Sequence, residues 1–164
     1  MTARHALISR LATARRRLPI IAAATLLASA AAVITAPATP GNAAAAAKCT
    51  GKKGVTVVVD FTKLHGKVKI GCARKRPANG LVALKRAGFT YTFVPRQPGF
   101  ICTIDHRPGK CNGAPATAYW SYWHAKPGGT WVYSSLGAGS YNPAPGTVQG
   151  WAFGAGTAPS IPPP

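Results

Sequence analysis

Acidic residues are almost missing from this chain. Its 164 residues include two, Asp60 and Asp105, against twenty Lys and Arg, for a formal net charge of +18. That scarcity excludes chemistry that needs carboxylates in pairs, such as glycoside hydrolysis. Cysteine is confined to four positions with no C-x-x-C, and no histidine stands at ligand spacing, which removes the usual zinc patterns. No serine sits in a G-x-S-x-G elbow, and no phosphate-cradling glycine loop occurs. His106 adjoins Asp105, but neighbours along a strand point to opposite faces. These absences predict a protein that is not an enzyme and holds neither cofactor nor metal. Nucleic-acid motifs are missing too, and the bases are scattered over several loops, so nucleic acid is not an expected partner.

The first 47 residues lack acid and lysine altogether and hold five arginines, Arg4, Arg10, Arg15, Arg16 and Arg17. An apolar run follows, "LPIIAAATLLASAAAVITA", from Leu18 to Ala36, then Pro37, Pro40, Gly41 and an alanine run ending at Ala47. A basic region, an apolar region and small residues in that order predict a signal peptide over 1–47, and hence a secreted, extracellular protein. The alternative is an uncleaved signal anchor, since the run nearly suffices to span a bilayer; a membrane would be met only through that segment. Lipid attachment at Cys49 is excluded because Lys48, not a small residue, precedes it.

Fifteen of the twenty bases lie beyond Ala47, facing both acids. Such a field suits anions outside a cell: envelope polymers, phospholipid head groups and phosphate-bearing small molecules. All four cysteines, Cys49, Cys72, Cys102 and Cys111, lie in the same part. An even number in an exported domain predicts two disulfides, with three pairings open. Cys102–Cys111 is favoured because it closes the short loop "TIDHRPGK". Cys49–Cys72 is favoured because a hairpin would bring Cys72 back beside the start of the first strand.

Periodicity supplies that hairpin. "GVTVVVDF" and "KVKIGC" alternate as strands, joined by "TKLHG". "PANGLVALKRAGF" predicts a short helix: Asn79 can cap it, Leu81 and Leu84 share a face, Lys85 and Arg86 suit its last turn, and Gly88 suits its exit. "TYTFV", "FICTID", "AYWSYWH", "TWVYSS" and "TVQGWAF" read as further strands. Residues 48–155 thus form an α+β domain, an antiparallel or mixed sheet packed on one short helix. The proline-rich tail, 156–164, is expected to be disordered.

Aromatics crowd the segment from Tyr119 to Tyr133. Alternation puts Tyr119, Ser121 and Trp123 on one face and Trp120, Tyr122 and His124 on the other. If the sheet has one covered face, one row stays partly wet. The aromatics then serve either as core with half-buried cross-strand pairs, or, for Trp123, Trp131 and Tyr133, as an exposed platform for a flat or apolar ligand, with His124 and Lys126 as its polar edge.

"GLVALKRAGF", "AYWSYWH…GG…W" and "TVQGWAF" together resemble the transcobalamin-like C-terminal domain. Leu81, Ala83, Leu84, Ala87, Gly88 and Phe89 fit its helix pattern. Tyr119, Trp120 and Tyr122 fit its aromatic strand; Val148, Trp151 and Phe153 fit its last strand. The resemblance covers Val55 to Phe153 and is similar to that of short secreted actinobacterial proteins carrying this domain alone. It implies a β-grasp-like fold and a small ligand, with cobalamin or another corrinoid as the model. It also implies that the segment after the aromatic hairpin lies near the ligand, which adds Ser135, Gly137, Ser140 and Tyr141 to the candidate site. The sequence departs from the family in lacking the helical barrel of the animal carriers, in having "HAKPGG" where the family has asparagine-glycine, and in its two disulfides. The expected function is a non-catalytic binding module for a small molecule. The alternative is an envelope adhesion or structural module whose basic surface binds anionic wall polymer.

Overall fold

A computed structural model describes residues 47–164. The expected signal peptide, with its helix, lies outside the described residues. Seven strands and one helix follow: β1 (Gly54–Asp60), β2 (Val68–Arg74), α1 (Gly80–Arg86), β3 (Tyr91–Val94), β4 (Gln97–Ile104), β5 (Tyr119–Ala125), β6 (Val132–Tyr133) and β7 (Val148–Gly154). The main sheet has the order β2-β1-β7-β5-β6, while β3 and β4 form a separate two-stranded ribbon. The β1–β7 pair is parallel and its neighbours are antiparallel, so the sheet is mixed. The predicted strand-strand-helix-strands order is what is found.

Local chemistry explains the elements. β1 turns into β2 through a short 3-10 turn, Thr62–Leu64, whose start is held by Asp60 accepting from the Thr62 N–H at 2.8 Å and the Thr62 hydroxyl at 2.7 Å. α1 starts where Asn79 accepts from the Val82 N–H at 2.9 Å, satisfying one orphan donor of the first turn. It ends with Lys85 and Arg86 at the negative pole and Gly88 at φ +96°, where a side chain would be strained. Gly80 has no room for a Cβ, because the Tyr122 hydroxyl occupies that space.

The helix covers one face of the sheet. Val55, Val57, Val59, Phe61, Leu84 and Trp151 form the centre of that core, joined by Trp120 and Phe153. The Trp120 ring meets Phe61 and Phe153 edge-on at centroid distances of 5.3 and 5.4 Å, the favoured geometry for aromatic quadrupoles. The half-buried Leu81 packs against the same cluster. Disulfides Cys49–Cys72 and Cys102–Cys111 close as expected and no described cysteine is free. Two disulfides fit an oxidising, extracellular setting.

The opposite face corrects one expectation. Residues 156–164 are not disordered but are laid across the sheet. Ile161 packs with Val58, Ala125, Val148 and Trp131, and Pro159 and Pro163 are buried. Three hydrogen bonds tie the segment down: Trp131 Nε1–H to the Ile161 carbonyl at 2.7 Å, the Gly128 N–H to the Pro163 carbonyl at 2.8 Å, and the Ser160 N–H to Asp60 Oδ2 at 2.6 Å. The physical reason is that the second face of β1 carries Val58 between Thr56 and Asp60. Val58 needs a cover just as Val57 does, and the tail supplies it. Every residue of β1 is therefore buried.

Candidate functional site

β6 is two residues long and pairs only with Trp123 and His124 of β5. After it, the Ser134 N–H donates to the Tyr122 carbonyl at 2.9 Å and the chain turns away. From there back to Tyr119, no strand among the described residues pairs with the outer edge of β5. A groove of about 330 Å³ opens along this edge. One wall is Gly99–Ile101 of β4 and the other is the segment from Tyr133 to Ala138; Trp120, Tyr122 and Trp151 also line it.

The groove's mouth is apolar. Phe100 is 56% exposed, Leu136 51% and Tyr133 48%, high values for large apolar side chains. The walls are built, not loose. The Ser134 hydroxyl donates to the Leu136 carbonyl at 2.7 Å, and the Gly137 carbonyl accepts from the Ser140 and Tyr141 N–H groups. The Ala138 and Tyr141 carbonyls accept from the Leu81 and Gly80 N–H groups, pinning the segment to the start of α1.

The structure divides the sequence-predicted residues among three places. Tyr133, Ser135 and Gly137 line the groove. Tyr141 and His124 stack on one another with centroids 4.6 Å apart, beside the segment that follows it. Burial lowers the His124 imidazole below its usual value, favouring the neutral ring. Trp123 and Trp131 lie on the tail side of the sheet. Trp123 meets Tyr133 edge-on at 5.0 Å and donates to the Ser121 hydroxyl, while Trp131 is roofed by the tail. Ser140 is exposed and does not line the groove. Trp123, Trp131 and Tyr133 stand in one row on this face, since Tyr133 is the cross-strand partner of Trp123 and the Trp131 ring lies over Gly150, the partner of Trp123 on the other side; the tail caps the Trp131 end and leaves Tyr133 about half exposed. Trp120, core in one of the two readings, is buried and also lines the groove.

Phe100, Leu136 and Tyr119 were missed. Phe100 comes from a ribbon whose placement no local pattern announces. Leu136 carried a signal: an isolated large apolar residue inside a glycine-serine segment has no strand or helix to bury it.

Beneath the wall lies a polar pair. The Tyr122 hydroxyl donates to Gln149 Oε1, and Gln149 Nε2 is buried with no partner among the described residues. Burial, reinforced by Tyr141, raises the Tyr122 phenol. The Tyr119 phenol, hydrogen-bonded to Tyr133 at 3.1 Å, is pushed up to about 12. Both therefore keep their protons near neutrality. Among the described residues no group of three His, Cys, Asp or Glu lies together to hold a metal ion.

A second cavity, about 470 Å³, lies at the other end of the sheet, lined by Lys48, Cys49, Lys52, Thr56, Pro127, Gly146 and Pro164 among others.

A family model, the SCO2322-like domain, matches residues 112–161. The matched stretch begins ahead of β5 and runs through β5, the groove's Tyr133–Ala138 wall and β7 to Ile161, so it includes most of the docked tail. No curated protein and no solved structure matches the chain.

Proposed function

We propose that this is an exported, non-catalytic binding module that seats an apolar portion of a small ligand in the groove between β4, the open edge of β5 and the Tyr133–Ala138 segment. The observation that carries the proposal is the concentration of Phe100, Tyr133 and Leu136, all about half exposed, at the mouth of one groove backed by buried aromatics. Small-molecule sites are concave and mainly apolar with a few placed polar groups. Here the polar groups are backbone ones along the β5 edge and the Ser135 side of the wall.

The β-grasp reading, and with it kinship to the transcobalamin-like domain, rests on the motif pattern and on a mixed sheet with a central parallel pair crossed by one helix. A corrinoid is accordingly one probe, though a groove of about 330 Å³ would seat an edge or side arm of it rather than the whole macrocycle. The non-catalytic reading is supported by the state of the two carboxylates. Asp60 accepts from Thr62 and Ser160, and Asp105 from Thr90 and Lys69. Both are committed to holding the fold.

Titrating the chain with a corrinoid and with a small neutral aromatic, read through tryptophan emission, tests the proposal. At least one probe should quench saturably, and Leu136→Ser should weaken that binding by about tenfold, the effect of losing one partly buried leucine contact. Absence of saturable quenching by either probe, or equal binding by Leu136→Ser, refutes it.

A further inference from the structure

The two ends of the main sheet differ in charge. Asp60 is the last residue of β1, and Asp105 reaches the same end, where its carboxylate pairs with Lys69 at 3.0 Å; Lys69 stands opposite Val59. The end where β1 begins has neither. There, Arg74 stands opposite Gly54, and the Lys75 N–H donates to the Lys53 carbonyl at 3.1 Å. Lys126 follows Ala125, which pairs with Val148, itself opposite Thr56 at the start of β1. Lys48 and Lys52 line the 470 Å³ cavity at this end. Six exposed cations therefore lie at this end with no acid among them, and none takes part in an ion pair among the described residues.

The site is held in place. The Cys49–Cys72 disulfide staples the entering chain to β2, the Cys49 N–H donates to the Thr56 hydroxyl at 3.1 Å, and the Gly146 N–H donates to the Gly54 carbonyl at 2.7 Å. Like charges held close repel one another, and an anion relieves that cost. The cations are distributed over three chain segments at this end of the sheet, so they match a row of charges better than a single one.

We propose that this end of the molecule binds a linear phosphodiester polymer, laid across the cavity with successive phosphates against Lys48, Lys52, Lys53, Arg74, Lys75 and Lys126. Binding there is separate from the groove, which lies toward the other end of β5. A second copy of the chain is disfavoured as occupant by the same excess of positive charge.

Binding of the full chain to a fluorescently labelled poly(glycerol phosphate) oligomer, measured by anisotropy over a range of NaCl concentrations, tests this. The slope of log affinity against log salt counts the phosphates neutralised, at roughly 0.7 to 0.9 for each contact. The variant K52Q/K53Q/K75Q removes three of these cations; K63Q/K67Q/K69Q removes three from the Asp60 end. The first should weaken binding at low salt by about tenfold or more and reduce the slope by about two. The second should change affinity by less than about threefold, as expected of the general field alone. Equal losses from the two triples, absence of polymer binding, binding of inorganic phosphate as tight as that of the polymer, or tighter binding to anionic lipid vesicles would each overturn the proposal.

Discussion

Asp60→Asn isolates the anchor of the C-terminal segment. The Asp60 side chain is 4% exposed and accepts three hydrogen bonds, from the Thr62 N–H, the Thr62 hydroxyl and, at 2.6 Å, the Ser160 N–H. Asparagine keeps the shape but has one acceptor oxygen, so its amide nitrogen must face an N–H donor. A hydrogen bond to a charged group contributes about 1.5–3 kcal/mol, and a buried donor without an acceptor costs about as much again before relaxation. Since the tail can move to relieve part of this, the net loss should be about 2–3 kcal/mol, or about 10 °C in Tm for a domain of this size. The pH dependence sharpens the test. Burial alone would raise the Asp60 carboxyl, but the hydrogen bonds from Ser160 and Thr62 outweigh it and hold the group below its usual value. The unfolded chain therefore takes up the proton first as pH falls. The contribution of Asp60 is complete above the ordinary carboxylate value of about 4 and is lost as pH drops through the lower folded value. Thermal unfolding of parent and variant at pH 7 and near pH 2 should show a gap that closes in acid, and Ser160 amide exchange should be faster in the variant at pH 7. Equal melting temperatures at pH 7, or a gap undiminished in acid, would refute the reasoning.

Gly150→Ala should loosen the same segment from the other side, because its Cβ would lie 2.8 Å from the Trp131 ring and 2.9 Å from the Pro159 ring. The expected loss is about 1–3 kcal/mol in urea unfolding, with faster exchange of the Gly128 amide that donates to Pro163. The double variant Cys49→Ser, Cys72→Ser frees a loop with a sequence separation of 23 and should lose about 3 kcal/mol in the same assay. It should also weaken polymer binding at the cationic end, since the staple holds Lys48 and Lys52 there.

Strands were legible where burial alternates or is continuous: Val55, Val57 and Val59 announce β1, and Trp151 and Phe153 announce β7. The helix was legible from its ends, with Asn79 before it and Gly88 after it. Both disulfides followed from loop length and hairpin geometry. The tail was misread because proline-rich composition says that a segment cannot make its own ladder, not that it cannot lie on someone else's face. Ile161 was the residue to weigh: a lone large apolar side chain among prolines has something to bury. The same blindness hid the groove. Tyr133 and Gly137 could be placed near one another from the hairpin alone, but Phe100 arrives through the β3–β4 ribbon, whose position depends on long-range packing under Trp120. Sequence spacing carries no record of such a contact.

That β5 carries different surroundings at its two ends has a functional consequence. Toward Tyr119 it borders the apolar groove; toward Ala125 it leads into the cationic cavity. Its central ladder with β7 is fully paired, from Tyr119 opposite Gly154 to Ala125 opposite Val148, and is covered on both faces, by the helix and by the tail. The groove and the cationic cavity share no lining residue, so occupation of one should leave the other free to bind. On the two proposals together, an exported module of this build would be retained on a phosphate polymer through its cations while its groove stays open to a ligand. The tail is what permits this, because without Ile161 over Val58 and Val148 the sheet between the two ends would present a wet apolar face, and that face would compete for the same ligands as the groove.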